Sequence, residues 1–311
     1  MIAIPLIQKI AELFLILFAT AGLVKGGILK SEDSKILSKL SLYFVTPCVI
    51  FNSFQTKLTP EIQTGLLTAI LVACICEALY FLAAALMKRF WNATEVERAS
   101  IVFTNAGNLI LPIVAYILGQ EWVIYVSGYI LVFNILFWSF GLRMFDSNGK
   151  GINIKKMLFN PNMMAAILGM ICLFAGIQLS GPIKIAFEDV AVMIGPLSMM
   201  ITGMIVGSMN FRTMFENKRI WVVLLMRMIV TSGAAVLLIC VSGITRIIPA
   251  GQTIVMIALL SATAPSASNI NQMAIIYNKD AKYASAINVL STLSCILTMP
   301  FWMMVYELLT R

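Results

Sequence analysis

Of 311 residues, 60% are apolar and 12% charged, against roughly a quarter charged in soluble domains, which excludes an ordinary water-soluble fold. The net charge of +8 is carried by Lys and Arg in short loops between apolar runs, so a lipid bilayer accounts for it and no nucleic-acid partner is expected. Histidine is absent and the six cysteines lie in apolar runs without a CxxC pair, which removes His-dependent zinc sites, serine–histidine hydrolysis and histidine proton relays and leaves no cofactor or metal to expect.

Apolar runs of about twenty residues, the length that crosses a hydrocarbon core, predict ten helices. The first, 5–24, has no basic stretch before it and no small-residue cleavage site after it, so it is expected to be retained. The second, 36–54, holds Thr46-Pro47, and the third, 62–87, carries Glu77 well inside the span. The sequon Asn92-Ala93-Thr94 follows in a loop assigned to the cytoplasm, where no glycan is expected. The fourth span, 99–118, contains the polar stretch Thr104 to Pro112, and the fifth covers 122–142. After a link over 147–159 come spans at 160–180, 190–209 with Pro196, 220–242 with Arg227, 253–276 with the polar stretch Ser261 to Asn271, and 284–306.

Loop charge tests this count, because cytoplasmic loops carry the excess of Lys and Arg. The loops after the odd-numbered spans hold sixteen of the 22 basic residues, among them Lys35, Lys39, Lys88, Arg219, Lys279 and Lys282, and the opposite side holds five. Both termini are therefore expected outside the cytoplasm, in a multi-pass protein of the cell (plasma) membrane. Landmarks also repeat: Pro47 with Pro196, Glu77 with Arg227, and Pro112 with Pro265, at offsets of 149, 150 and 153. Five spans per half is an odd number, so the halves 1–146 and 160–311 would enter the bilayer in opposite senses, an inverted-repeat transporter architecture. The fold expected is all-α, ten transmembrane helices in two inverted five-helix repeats.

The polar stretches of the fourth and ninth spans put amides, hydroxyls and a proline where lipid-facing helices carry Leu and Ile. A proline cannot donate to the carbonyl four residues earlier, so Pro112 frees that of Asn108 and Pro265 that of Ser261. Such groups cost several kcal/mol in hydrocarbon unless protein, water or ligand satisfies them. An interrupted helix also exposes an N-terminus that attracts anions, each end contributing about 0.3–1 kcal/mol, or up to about 2 when partly buried. Asn105, Asn108, Ser266, Ser268 or Asn269 would add neutral hydrogen bonds. The competing reading is a pair of proline kinks whose polar residues bond neighbouring helices.

Glu77 and Arg227 need partners inside the membrane, where insertion costs about 2.5–3.5 kcal/mol per charge. A Glu77–Arg227 pair, direct or water-bridged, is expected, either as a coupling group or as a structural tether. Coupling to a proton or to sodium stays open.

Asn105-Ala106-Gly107-Asn108 with Pro112, and Ala264-Pro265-Ser266-Ala267-Ser268-Asn269 leading to Tyr277 and Asp280, resemble the two crossover regions of the auxin efflux carrier family. Tyr43 to Pro47 and Asn160-Pro161 are similar to that family as well. The resemblance implies ten helices in two inverted repeats, with the fourth and ninth broken and crossing at the substrate site. It places the carboxylate on Asn105 or Asn108 and on Asn269, with Gly107, Pro112, Pro265, Ser266 and Ser268 in the crossovers and Thr46 and Pro47 facing the same cavity. The short link between the halves points to a secondary carrier of small carboxylates such as malate or malonate, working by alternating access, over an exporter of auxin-like acids. A receptor or sensor that binds the carboxylate without moving it is the alternative. An intramembrane enzyme would need a nucleophile with a base or paired aspartates in the spans, and neither is visible. The partners implied are the substrate and the bilayer, with a homodimer left open.

Overall fold

The computed structural model describes residues 3–145, 159–209 and 216–310. Among the described residues there is no β-strand, and besides a short 3-10 turn at Ile244–Arg246 twelve helical segments follow in chain order. They are α1 (Ala3–Lys25), α2 (Ser31–Ser53), α3 (Pro60–Trp91), α4 (Glu95–Val102), α5 (Ala106–Ile117) and α6 (Gln120–Phe145). After the link come α7 (Pro161–Ala175), α8 (Gly181–Ser208), α9 (Lys218–Ser242), α10 (Gly251–Thr263), α11 (Asn269–Ile276) and α12 (Ala281–Thr310). Seven of these, α1, α2, α3, α6, α8, α9 and α12, are long and apolar enough to cross a membrane; α5, α7 and α10 are shorter apolar helices. The expected repeat boundary at 146 and the link 147–158 lie outside the described residues.

Helix ends follow local chemistry. Thr59 caps α3, its hydroxyl accepting the Ile62 N–H at 3.3 Å ahead of Pro60, and Asn92 closes the same helix in the left-handed conformation at φ 50°. Thr94 and Glu97 form a reciprocal capping box at the start of α4. The expected seventh span starts too late: α8 begins at Gly181, because Pro182 preorganises its first turn. Lys184 and Glu188, which look like loop residues in the sequence, sit one turn apart at 3.7 Å on that helix. The preceding helix ends early, at Ala175, where Gly176 takes a φ of 68° and the Ile177 N–H bonds back to the Cys172 carbonyl.

Small residues fix which helices touch. A Cβ at Gly203 would collide with the Leu17 carbonyl, and one at Gly207 would stand 2.7 Å from that of Ala21, so α8 lies backbone to backbone along α1. Gly169 of α7 accepts Phe54 at the end of α2, and α2 also packs on α8. These four helices form one group. In the other, α3 packs on α6, with a Cβ at Gly128 meeting Leu66 at 2.8 Å, and α9 packs on α12, with Gly233 leaving room for the Trp302 ring. Between those two pairs run α4, α5, α10 and α11, so the broken helices lie inside the molecule.

Candidate functional site

Two gaps in helical structure face each other. The chain leaves α4 at Phe103 and re-enters a helix at Ala106; it leaves α10 at Ala264 and resumes at Asn269. The gaps pair as a single antiparallel bridge between Thr104 and Ser266. The Asn105 N–H donates to the Pro265 carbonyl at 2.8 Å and the Ala267 N–H to the Phe103 carbonyl at 3.0 Å. Each break thus satisfies part of the other, as buried backbone requires. From α12, the Asn288 amide donates to the Ser266 carbonyl at 2.6 Å and the Ser291 hydroxyl accepts the Ser266 N–H at 3.1 Å. Phe103 anchors the first break by edge-on contacts with Phe81, Phe133 and Phe137 at 5.8, 5.8 and 5.0 Å between ring centres.

The prolines do not sit where the interruption falls. Pro112 follows a π-turn over Ala106–Ile110 and continues α5, so the break lies at Phe103–Asn105 and not at the proline. The freed carbonyl of Asn108 is taken by the Ser198 hydroxyl of α8 at 2.9 Å. At the second break α10 has already ended at Thr263 before Pro265. Two N–H groups at the start of α11, those of Ile270 and Asn271, are spent on tight turns to Ala267 and Ser268 at 3.3 and 3.2 Å. This helix end therefore offers an anion less backbone than an open N-terminus would.

Arg227 makes no direct ion pair with Glu77 among the described residues; its guanidinium caps the end of α10 instead. It donates to the carbonyls of Ala262 and Ala264, both at 2.7 Å, and to that of Ile101 at 3.3 Å, and it lies 4.8 Å from the centre of the Tyr80 ring. The Tyr80 hydroxyl donates to Ala262 as well, at 3.0 Å. A π-turn over Leu225–Thr231 aims Arg227 inward, and the carbonyls it loosens find other donors. The hydroxyls of Thr231 and Ser232 reach the Arg227 carbonyl at 2.9 Å, and the Trp302 indole N–H reaches that of Met228 at 2.8 Å. Glu77 is fully buried; one carboxylate oxygen accepts the Tyr129 hydroxyl at 3.0 Å and the other has no partner among the described residues.

In front of the crossing lies a cavity of about 1050 Å³. Of the residues singled out in the sequence, Thr46, Asn105, Gly107, Asn108, Ser268 and Asn269 line it, whereas Pro47, Pro112, Pro265 and Ser266 do not. The Asn108 amide bridges the two breaks, donating to Asn105 Oδ1 at 3.0 Å and to Ser268 Oγ at 3.2 Å. Asn134, Asn162, Ser198, Thr202, Gln272 and Asn288 line the cavity too and escape the sequence reading. Asn134, Ser198 and Thr202 are scattered polar residues in apolar runs, a weaker signal than the clusters at the breaks, and Asn162 sits just after Asn160-Pro161 at the start of a span. The only charged lining groups among the described residues are Glu32, Lys35, Lys39 and Lys282, near helix ends; no group of acidic, thiol or imidazole side chains there could hold a metal.

Paired helix breaks beneath a polar hollow, inside a bundle of apolar helices, define the class of membrane transporters. Residues 5–303 match the family described as membrane transport protein, and the chain belongs to that family, the auxin efflux carrier type. An uncharacterized transporter of Methanothermobacter thermautotrophicus is 24% identical over 297 residues, covering 90% of this chain and 91% of that protein. An uncharacterized transporter of Schizosaccharomyces pombe is 28% identical over 115 residues, 36% of this chain but only 25% of the yeast protein's length. The chain is a multi-span membrane transporter.

Proposed function

We propose that this is a secondary active transporter of small organic anions, mono- or dicarboxylates, working by alternating access. The observation that carries the reading is the Asn108 amide, which spans both breaks at the floor of a cavity whose deep wall is neutral amides and hydroxyls. A carboxylate held by such donors is stabilised by charge-assisted hydrogen bonds without a fixed counter-charge, so binding stays reversible. Asn105 and Asn269 offer amide N–H groups to the carboxylate, Asn108 joins them by releasing one of the two N–H groups it gives here to Asn105 and Ser268, and Thr46 closes the site from α2. Pro47, Pro112, Pro265 and Ser266 support the surrounding backbone.

The two-repeat architecture is part of the same reading. Counting α4 with α5 and α10 with α11 as single broken spans gives ten, divided at 146 and 160. The packing then has the expected exchange symmetry: span one lies on seven and two on six, while three lies on five and eight on ten. The termini face outward from the plasma membrane, and Glu77, with its unpartnered oxygen, is the candidate proton-coupling group. In reconstituted vesicles, labelled malate or malonate accumulates under an imposed proton or sodium gradient, and Asn108→Ala lowers uptake at least tenfold. Uptake of neither under any gradient, or normal transport by Asn108→Ala, would overturn the reading. Saturable binding without movement makes the protein a receptor.

A further inference from the structure

We infer that the mouth of the cavity is itself an anion site, a staging subsite on α2 and α12 that collects the substrate's negative charge before it reaches the amides; this rests on the transport reading above. The charged groups lining the cavity are Lys35, Lys39 and Lys282 against Glu32, a surplus of two positive charges (three minus one) among the described residues. All three lysines are exposed and none takes part in an ion pair among the described residues. Lys279, just before Lys282 in the chain, shows the contrast: it is held by Glu95 at 3.0 Å and does not line the cavity. Free lysines at a concave opening with low-dielectric walls focus their field into it, as a carrier of anions requires.

The path inward from these lysines is continuous. Lys35 and Lys39 are one helical turn apart on α2, and Ser34, Ser38 and Ser41 line the same opening. In a regular α-helix, five residues advance about 500°, so Thr46 would face well away from Ser41. The π-turn over Ser41–Val45 corrects this: the Thr46 N–H bonds to the Ser41 carbonyl, five residues back, and both side chains line the cavity. The hydroxyls of Ser34 and Ser38 donate to carbonyls of their own helix at 2.5 and 2.7 Å. They therefore present lone pairs that hold water in the lane, while the lysines supply the attraction for the anion.

The test reads the potential directly. Ser38→Cys is reacted with an anionic (sulfonatoethyl) and a cationic (trimethylammonioethyl) methanethiosulfonate; none of the six native cysteines lines the cavity, so the wild type is the background control. Relative to a small free thiol, the anionic reagent is expected to gain about tenfold over the cationic one. Neutralising Lys35, Lys39 and Lys282 together to Gln, or raising salt to about 1 M, removes most of that gain. Lys88→Gln, exposed near the end of α3 and outside the cavity, leaves it intact. No preference for the anionic reagent, or a preference that survives the triple neutralisation, overturns the inference. In vesicles the triple variant raises the half-saturating malate concentration severalfold at this mouth only. Wild-type vesicles that move no malate while the reagent preference stands would refute the transport reading and leave the anion site in place.

Discussion

A methyl group at position 107 should separate binding from folding. A Cβ on Gly107 would meet only Ile130 Cδ1, at 3.9 Å, so the site has room, and Gly→Ala at a position that accepts it stabilises by about 0.4–1 kcal/mol. Because Gly107 lines the cavity beside Asn108, the same methyl intrudes on the proposed carboxylate site. Gly107→Ala is expected to keep or raise the unfolding temperature in detergent while raising the half-saturating concentration for malate; a Tm drop with unchanged transport would show that the glycine serves packing. Arg227 is the opposite case. Arg227→Met strands the carbonyls of Ala264 and Ile101 in the interior, at about 1–3 kcal/mol each, so denaturant unfolding should show a loss of that order, with Arg227→Lys intermediate because a point charge cannot span three acceptors. The sequence exposed Asn105, Asn108 and Asn269 because clustered amides in an apolar run are conspicuous. The direct form of the expected Glu77–Arg227 pair is absent among the described residues, because a sequence displays charged side chains but not the backbone carbonyls that compete for them.

At the scale of elements, what escaped the sequence is mostly one extra residue per turn. The π-turns of α2, α5 and α9 realign Thr46, the Asn105–Asn108 region and Arg227, yet they follow from tertiary contacts such as Trp302 on Met228 and Ser198 on Asn108, which leave no local signature. Caps were more legible in principle: Thr94-x-x-Glu97 is a capping box in the sequence itself. Its Glu97 proves to be a hub. It is 1% exposed and bound by Arg219 through two bonds of 2.7 Å, by the Tyr283 hydroxyl at 2.8 Å and by the Thr94 N–H at 2.7 Å, tying α4 to α9 and α12. Burial pushes this carboxyl up, but the hydrogen bonds from Arg219, Thr94 and Tyr283 together hold it below its ordinary 4.5. A carboxylate so depressed contributes stability that is complete above 4.5 and is lost as pH falls through its lowered value. Thermal unfolding across an acid series should therefore decline more steeply for the wild type than for Glu97→Gln, which starts lower at neutral pH; parallel curves would remove the hub from the stability of this end.

For the whole molecule, the question is what holds the cavity closed on the side away from the lysine-lined mouth. There α5 is gripped by the α1 and α8 pair. Gly195 lets α8 close on Pro112, where an added Cβ would stand only 2.9 Å from the proline Cβ, and Lys9 of α1 lies 4.2 Å from the centre of the Tyr116 ring while also pairing with Glu12 at 2.7 Å. Alternating access through the proposed site requires these contacts to part, so they set the balance between the two openings. A cation over an aromatic ring contributes about 0.5–2 kcal/mol depending on its desolvation, and the Lys9 side chain, 13% exposed, is largely desolvated. Losing that amount shifts a two-state population by roughly 2- to 30-fold. Lys9→Met should accordingly increase, within that range, the rate at which an impermeant thiol reagent applied from the Lys9 side modifies Thr202→Cys, a position lining the cavity. The reaction from the lysine-lined mouth should slow only by the fraction of molecules withdrawn from it. An unchanged rate from the Lys9 side would mean that Gly195, Pro112 and the Ser198 bond to Asn108 seal the molecule without help from the cation.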